Sequence, residues 1–376
     1  MLASLLVSAS LFGAPQAVGP PPTSVQAWVA DGSAALAKGD YARAERQFRR
    51  ALAVQPKLVG ILNDLAISLA KQGKTKEAIP YYERALSLNP AEPGTLRNLA
   101  VAYFREREYT KVLPLATRLA HQAPEDFQVN ELAGLSLFAL DHYPQAAPYL
   151  EAASRANPKD LPTLYMLGQA YLRSDNYAAV TGVFAHIMEI NPNSAEAHVM
   201  MGEAYDKMFQ EDRALAEYRA ADRADANFAG VHSGLGQIYF KRDKLDLAAS
   251  EFREELKRFP GDAVANCLLG QVLMRQNQPA LAVGYFRAAA RANPRYKEAL
   301  FGLGRAELAL GHPQWGAAAL RKALGIDPNY AQAHYQLANA LERLGDQAGA
   351  ARERNLSAQI QDQEQATYTR KLSGKQ

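Results

Sequence analysis

Apolar residues along this chain fall into two alternating helical stripes. In residues 59–92, Leu62, Leu65, Ala66 and Leu69 recur three and four apart, the spacing of one helical face. Lys71-Gln72-Gly73-Lys74 then breaks the stripe with a glycine at the helix end. A second face follows in Ala78, Ile79, Tyr82, Ala85 and Leu86, and Leu88-Asn89-Pro90 closes it, because proline cannot continue a helix. The pattern predicts helix, turn, helix, turn, with helices of about 12–14 residues, roughly 20 Å each. It returns every 34 residues, marked by Pro56, Pro90, Pro124, Pro158, Pro192, Pro260, Pro294 and Pro328, with Ala226 in the one vacant rung. Ten such units run from residue 25 to about 362, so the chain is a repeat array.

Small and large residues alternate in register. The eighth place of each unit reads Gly32, Ala66, Ala100, Gly134, Gly168, Gly202, Gly236, Gly270, Gly304 and Ala338. Glycine costs up to about 1 kcal/mol inside a helix, so its recurrence implies a neighbour too close for a side chain. The twentieth place is mostly alanine, and the twenty-fourth carries Phe48, Tyr82, Phe184, Tyr218, Phe252 and Phe286, which would fill the gap.

Trp28, Gly32, Ala44, Phe48, Ala51 and Pro56 in one unit, and Leu164, Gly168, Tyr171, Phe184 and Pro192 in another, resemble the tetratricopeptide repeat. The resemblance covers residues 25 to about 362 and holds its phase through many units. It implies an all-α fold, a right-handed superhelical solenoid of antiparallel helix pairs. It further implies a groove lined by the second, fifth, ninth, twelfth and thirteenth places of the first helices. Those places hold the aromatic residues Phe104, Phe138, Tyr165, Phe240, Phe301 and Tyr335. They also hold Asn63, Arg97, Gln169, Glu203, Gln237, Gln271, Arg305 and Asn339, with Lys71, Arg105, Arg173, Lys207, Lys241, Arg275 and Arg343 along one rim. Aromatic rings flanked by polar and basic groups suit an extended peptide or a helix laid in the groove. The basic rim has a second reading as a place where this repeat commonly carries Lys or Arg. Two ligand patterns of the family, the Lys/Asn carboxylate clamp and the asparagine ladder, have no match here beyond Asn98.

Several units depart from the pattern. The third has Val112, Ala116 and Leu119 at places of Ala, aromatic and Ala. The sixth lacks its proline, which reads as a harmless substitution because Asp225 keeps the turn character. The tenth has Arg354 and Ser357 at buried places, as expected of a cap with a polar outer face. Residues 363–376 read as a tail whose last ten residues fray. Pro80, Pro114 and Pro148 recur early in second helices, open to two readings: tolerance near a helix start, or a bend that alters curvature.

Net charge is only +3, from 42 Lys+Arg against 39 Asp+Glu, without the basic excess of a nucleic-acid binder. The single cysteine, Cys267, leaves no internal disulfide and no cysteine-based zinc site. Leu2–Phe12 is apolar and too short to span a bilayer, and Pro20-Pro21-Pro22 follows. Residues 1–24 therefore read as a secretory leader and proline-rich linker, which would place the array in the periplasm or outside the cell. The other reading is a short disordered leader on a cytoplasmic protein. No transmembrane segment is expected.

No catalytic constellation appears. Glu254-Glu255 and Asp246 read as solvated helix carboxylates, and Cys267 as an inert repeat side chain. His198, His232 and His334 share the fourth place of their units, open to packing with a satisfied hydrogen bond or to metal binding and pH sensing. Neither an enzyme nor a cofactor is expected. The expected function is a scaffold that holds a peptide or partner protein in its groove. The alternative is a non-catalytic recruiting or assembly subunit of an enzyme or envelope complex.

Overall fold

A computed structural model describes residues 24–372. The leader and linker expectations lie outside the described residues, Ser24 excepted. Twenty α-helices fill the described residues, and no strand occurs among them. Units one to five comprise α1 (Val25–Ala37) and α2 (Tyr41–Val54), α3 (Val59–Lys71) and α4 (Thr75–Leu88), α5 (Pro93–Arg105) and α6 (Tyr109–Gln122), α7 (Phe127–Ala139) and α8 (Tyr143–Ala156), and α9 (Leu161–Arg173) and α10 (Tyr177–Ile190). Units six to ten comprise α11 (Ala195–Lys207) and α12 (Glu211–Ala224), α13 (Val231–Lys241) and α14 (Leu245–Arg258), α15 (Ala263–Arg275) and α16 (Pro279–Ala292), α17 (Lys297–Ala309) and α18 (Pro313–Ile326), and α19 (Ala331–Arg343) and α20 (Gln347–Leu372). The chain divides into two compact bodies, one ending at Met166 and one beginning at Leu167. Within each body the helix pairs are antiparallel, as their short turns require. First helices of neighbouring units lie side by side, while second helices pack mainly against the first helices of their own and the next unit. Helix α2 also reaches α4 through Arg49, which donates to the Tyr81 hydroxyl at 2.8 Å.

The small–large alternation is realised within each unit. A Cβ added at Gly32 would lie 2.5 Å from the Phe48 ring; at Gly236, 2.8 Å from Phe252; at Gly270, 2.8 Å from Phe286. Large side chains at the twenty-fourth place thus sit where an eighth-place side chain would begin. Unit five differs. Phe184 is only half-buried and tilts against His198 at 5.6 Å, while the Met200 sulfur from the next unit occupies the space at Gly168. Val112, Ala116 and Leu119 are buried, so the third unit keeps its core with smaller residues.

The fifteenth place is left-handed in every unit. Gly39, Gly73, Gly311 and Gly345 have φ from 77° to 86°, and Arg107, Asp141, Asp175, Phe209, Asp243 and Asn277 adopt φ from 57° to 61°. This one residue ends each first helix and reverses the chain into the second. The helices containing Pro80, Pro114 and Pro148 run unbroken for 14 residues, and all three prolines face solvent.

Expectations about the irregular units need adjustment. The turn at the vacant rung is kept, with Asp225 Oδ1 accepting from the Asn227 N–H at 2.9 Å as Asp327 does from Asn329. After it, however, α13 starts late, spans only 11 residues, and has Gly230 as N-cap at φ 89°. Its free amides are met by Glu255, which accepts from the Gly230 N–H at 2.8 Å and the Ser233 N–H at 3.2 Å. Glu255 is therefore not a solvated carboxylate; it is 1% exposed. It stands at the twenty-seventh place, usually alanine, where its carboxylate reaches the displaced helix start. At the other end, Ser357 is buried and its hydroxyl donates to the Ala331 carbonyl at 2.9 Å, so only Arg354 fits the polar-cap expectation. Helix α20 passes through residue 362 and continues to Leu372.

Candidate functional site

None of the twenty-one groove candidates is fully buried, but neighbouring units occupy many of them. In the first body, Asn63 Oδ1 accepts from Thr95 Oγ1 at 3.2 Å and Asn98 Nδ2 at 3.3 Å, tying unit two to unit three. Arg97 binds Asp126, the N-cap of the next unit's first helix α7, at 2.6 Å. Phe104 and Phe138 pack edge-on against Tyr109 and Tyr143 of their own turns, at 5.4 and 5.0 Å. Lys71 and Arg105 are exposed, and Tyr165 is half-buried on α9.

The thirteenth-place cations of the second body reach back one unit. Lys241 binds Asp206 at 2.7 Å, Arg275 binds Asp243 at 2.7 Å and donates to the Phe240 carbonyl, and Arg343 donates to the Leu308 carbonyl at 2.6 Å. These rim cations fasten one first helix to the next. Arg173 and Lys207 act instead on the Glu203 carboxylate: its surface meets solvent, yet the surrounding protein raises its pKa, and the two cations oppose that rise. Gln169, Gln237 and Asn339 are half-buried on the same helix face.

Five candidates converge. Phe240, Gln271, Arg275, Phe301 and Arg305 line a cavity of about 470 Å³ with Met274, Glu298 and Tyr330. A second cavity, of about 710 Å³, shares Phe301, Arg305 and Tyr330 and extends past Tyr335 toward α20. The two form one tract along α13, α15, α17 and α19. Its walls are aromatic surfaces topped by guanidinium groups: Arg275 lies 4.9 Å over Phe240 and Arg305 5.7 Å over Phe301. Such stacking is worth about 0.5–1 kcal/mol at an exposed site and holds the cation in place. Arg305 has no carboxylate partner among the described residues, unlike Arg275.

Tyr330 escaped the groove pattern because it stands in the turn before α19, not on a first helix. Its ring lies 4.9 Å from Phe301, and burial raises its pKa to about 12, so it enters the tract as a neutral phenol. A signal for it existed. Its register is the N-cap, filled by Ser24, Glu92, Asp126, Ser194 and Asp262, each accepting from a backbone amide. Tyr296 and Tyr330 make no such bond, and omitting a cap costs about 1 kcal/mol. Tyr296 instead contacts Cys267, whose thiol burial pushes up to about 11. A thiol so buried does not ionise near neutrality.

The three fourth-place histidines are clasped inside their own units. His198, His232 and His334 Nδ1 meet Glu217, Glu251 and Glu353 at 2.8, 2.8 and 2.5 Å. Asn130, Asn266 and His334, all at that place, also bond the carbonyls of Pro124, Pro260 and Pro328. No cluster of three or more metal-ligating side chains occurs among the described residues. Nor is any described helix long and apolar enough to cross a membrane.

Tetratricopeptide repeat models match residues 29–93, 191–263 and 267–331 in one case, and 69–135 and 137–201 in another. No curated protein matches the chain. Among solved structures, it is similar to the APC/C hetero-tetramer Cut9–Hcn1, at 17% identity and TM-score 0.52, over 89% of this chain and 73% of that one. It is also similar to yeast Tom70, at 14% identity and TM-score 0.50, over 89% and 85%. A monomeric IFIT1 mutant with Gppp-AAAA aligns at 15% identity and TM-score 0.50, over 80% and 78%. The similarity is one of fold. With family models spanning more than half its length and its helix pairs in one register, the chain belongs to the tetratricopeptide repeat family.

Proposed function

We propose that the chain is a non-catalytic scaffold that holds a peptide segment of a partner protein on the first-helix face of units seven to ten. The observation that carries this reading is the continuous tract around Phe301, Arg305 and Tyr330, open, aromatic and furnished with a guanidinium that has no carboxylate partner among the described residues. Apolar surface supplies affinity there, while Arg305, Gln271, Gln332 and Gln336 supply hydrogen bonds that fix the peptide's register. In the first body the corresponding candidates Asn63 and Arg97 already serve neighbouring units, which supports the second body as the binding end. The near-neutral net charge and the pairing of Lys241 and Arg275 with carboxylates support a protein ligand over nucleic acid.

The apolar run Leu2–Phe12 supports export, and with it a role in an envelope complex. N-terminal sequencing of the protein purified from its source cells tests this, because an intact residue 1 on the mature protein would contradict it. Binding is tested by comparing proteins retained by the native chain and by a Phe301→Ala/Arg305→Glu variant. Loss of the specific partners is expected. Unchanged retention of every partner would remove the tract as the binding site.

A further inference from the structure

On the opposite side of the second body, the solvent ridges of three consecutive second helices change character. The nineteenth place is charged or polar in the first four units: Arg43, Glu77, Lys111 and Gln145. In units seven, eight and nine it becomes Leu247, Leu281 and Trp315, which are 47%, 57% and 59% exposed. Arg213 and Gly349 bound the run on either side. Around Leu281, helix α16 adds exposed Ala280 and Gly284 and half-buried Ala288, so its ridge is small and apolar through two turns. Beside it, between α16 and α18, a groove of about 740 Å³ reaches down to Leu300 and Leu303, with Trp315 on its edge. Three aligned exposed apolar side chains next to such a groove mark an interaction surface.

The geometry points to a second copy of this chain as the occupant, related by a two-fold axis running along α16. The stripe is symmetric about Leu281, one unit to each side. A two-fold rotation therefore sets Leu281 on its counterpart and each Leu247 on the opposing Trp315, which is the self-complementarity an isologous dimer requires. The same rotation keeps level along the helices, so the twenty-sixth places also oppose one another. These are Glu254 on α14, Ala288 on α16 and Lys322 on α18. Glu254 of each copy, which also bonds Lys257 of its own helix at 2.5 Å, then faces Lys322 of the other, giving one complementary contact on either side of the axis. Exposed Arg291 ends the apolar part of the α16 ridge one turn beyond Ala288, so close approach of the two helices is confined to residues 280–288. Gly284 and Ala288 carry little or no side chain and let the two α16 helices approach closely. Arg287, at the edge of the same ridge, is already held by buried Glu307 at 2.6 Å, so its charge is compensated within the chain.

Sedimentation velocity of the full chain across a wide concentration range tests the proposal. A monomer–dimer equilibrium is expected for the native protein. Leu281→Glu places two carboxylates face to face on the axis and is expected to leave monomer only, with an unchanged melting temperature because Leu281 is largely exposed. Glu254→Lys alone and Lys322→Glu alone are each expected to weaken dimerisation by about tenfold, and the double exchange to recover most of it. A native chain that stays monomeric at every concentration would overturn the proposal. So would a dimer indifferent to Leu281→Glu, or an exchange pair that fails to rescue. Because the stripe lies away from the Phe301–Arg305 tract, Leu281→Glu is expected to leave partner retention unchanged.

Discussion

Phe209 shows how strictly the register governs single residues. It occupies the left-handed fifteenth place at φ 58°, and its side chain is 91% exposed. A bulky residue there costs about 1–2 kcal/mol relative to glycine, with no burial to offset it. Phe209→Gly is therefore expected to stabilise the chain by about 1 kcal/mol, read from its chemical denaturation midpoint. Gly236 behaves oppositely. Its missing Cβ leaves room for the rigid, fully buried Phe252 ring. Gly236→Ala is expected to destabilise by about 1–3 kcal/mol, although alanine is the better helix former. An unchanged or raised midpoint would show that the ring is free to yield. The glycine and alanine ladder was legible in the sequence because steric exclusion repeats at fixed spacing. The identity of the filling group in unit five was not, because Met200 belongs to the following unit.

Individual helices carry the clearest pH dependence. In the His232 clasp between α13 and α14, the hydrogen bond to Glu251 raises the imidazole pKa above its ordinary 6.5. Burial and Arg258 oppose the rise, and Asp222 adds to it. A raised histidine pKa gives stability that is complete below about pH 6.5 and is lost as pH climbs through the raised value. The stability difference between native and His232→Gln protein is thus expected to be largest near pH 5.5 and to shrink by pH 8.5. A pH-independent difference would contradict a charged clasp. Glu45 behaves in the opposite sense. Burial disfavours its charge, but hydrogen bonds from Lys74, Arg49 and Gln72 outweigh that and lower its pKa to about 2. Its contribution is present above about pH 4.5 and disappears as pH falls toward 2. The start of α13 rests on Glu255. Glu255→Ala leaves the Gly230 and Ser233 amides without their acceptor and is expected to cost about 1–3 kcal/mol, with faster amide exchange confined to the α13 N-terminus. No local pattern announced this bond: the carboxylate and the amides it meets are 25 and 22 residues apart.

For the whole molecule, the family and the helix-pair architecture were legible because ten units repeat one set of steric demands. The binding face was only partly legible. Register identifies which residues stand on first helices, but not which ones the next unit claims. Asn63, Arg97, Lys241, Arg275 and Arg343 all satisfy the groove pattern, yet each is bonded to a neighbouring unit. Phe301 and Arg305 escape that use, and Tyr330 joins them from a turn. The most direct test places a photo-crosslinking amino acid at Tyr335, beside this tract, and separately at exposed Glu189 on α10 of the same body. The full chain is irradiated in its native cells and adducts are mapped by mass spectrometry. The account predicts discrete partner adducts from position 335 that vanish with Phe301→Ala/Arg305→Glu, and none from position 189. Equal adducts from both positions, or adducts at 335 that survive the double substitution, would contradict it.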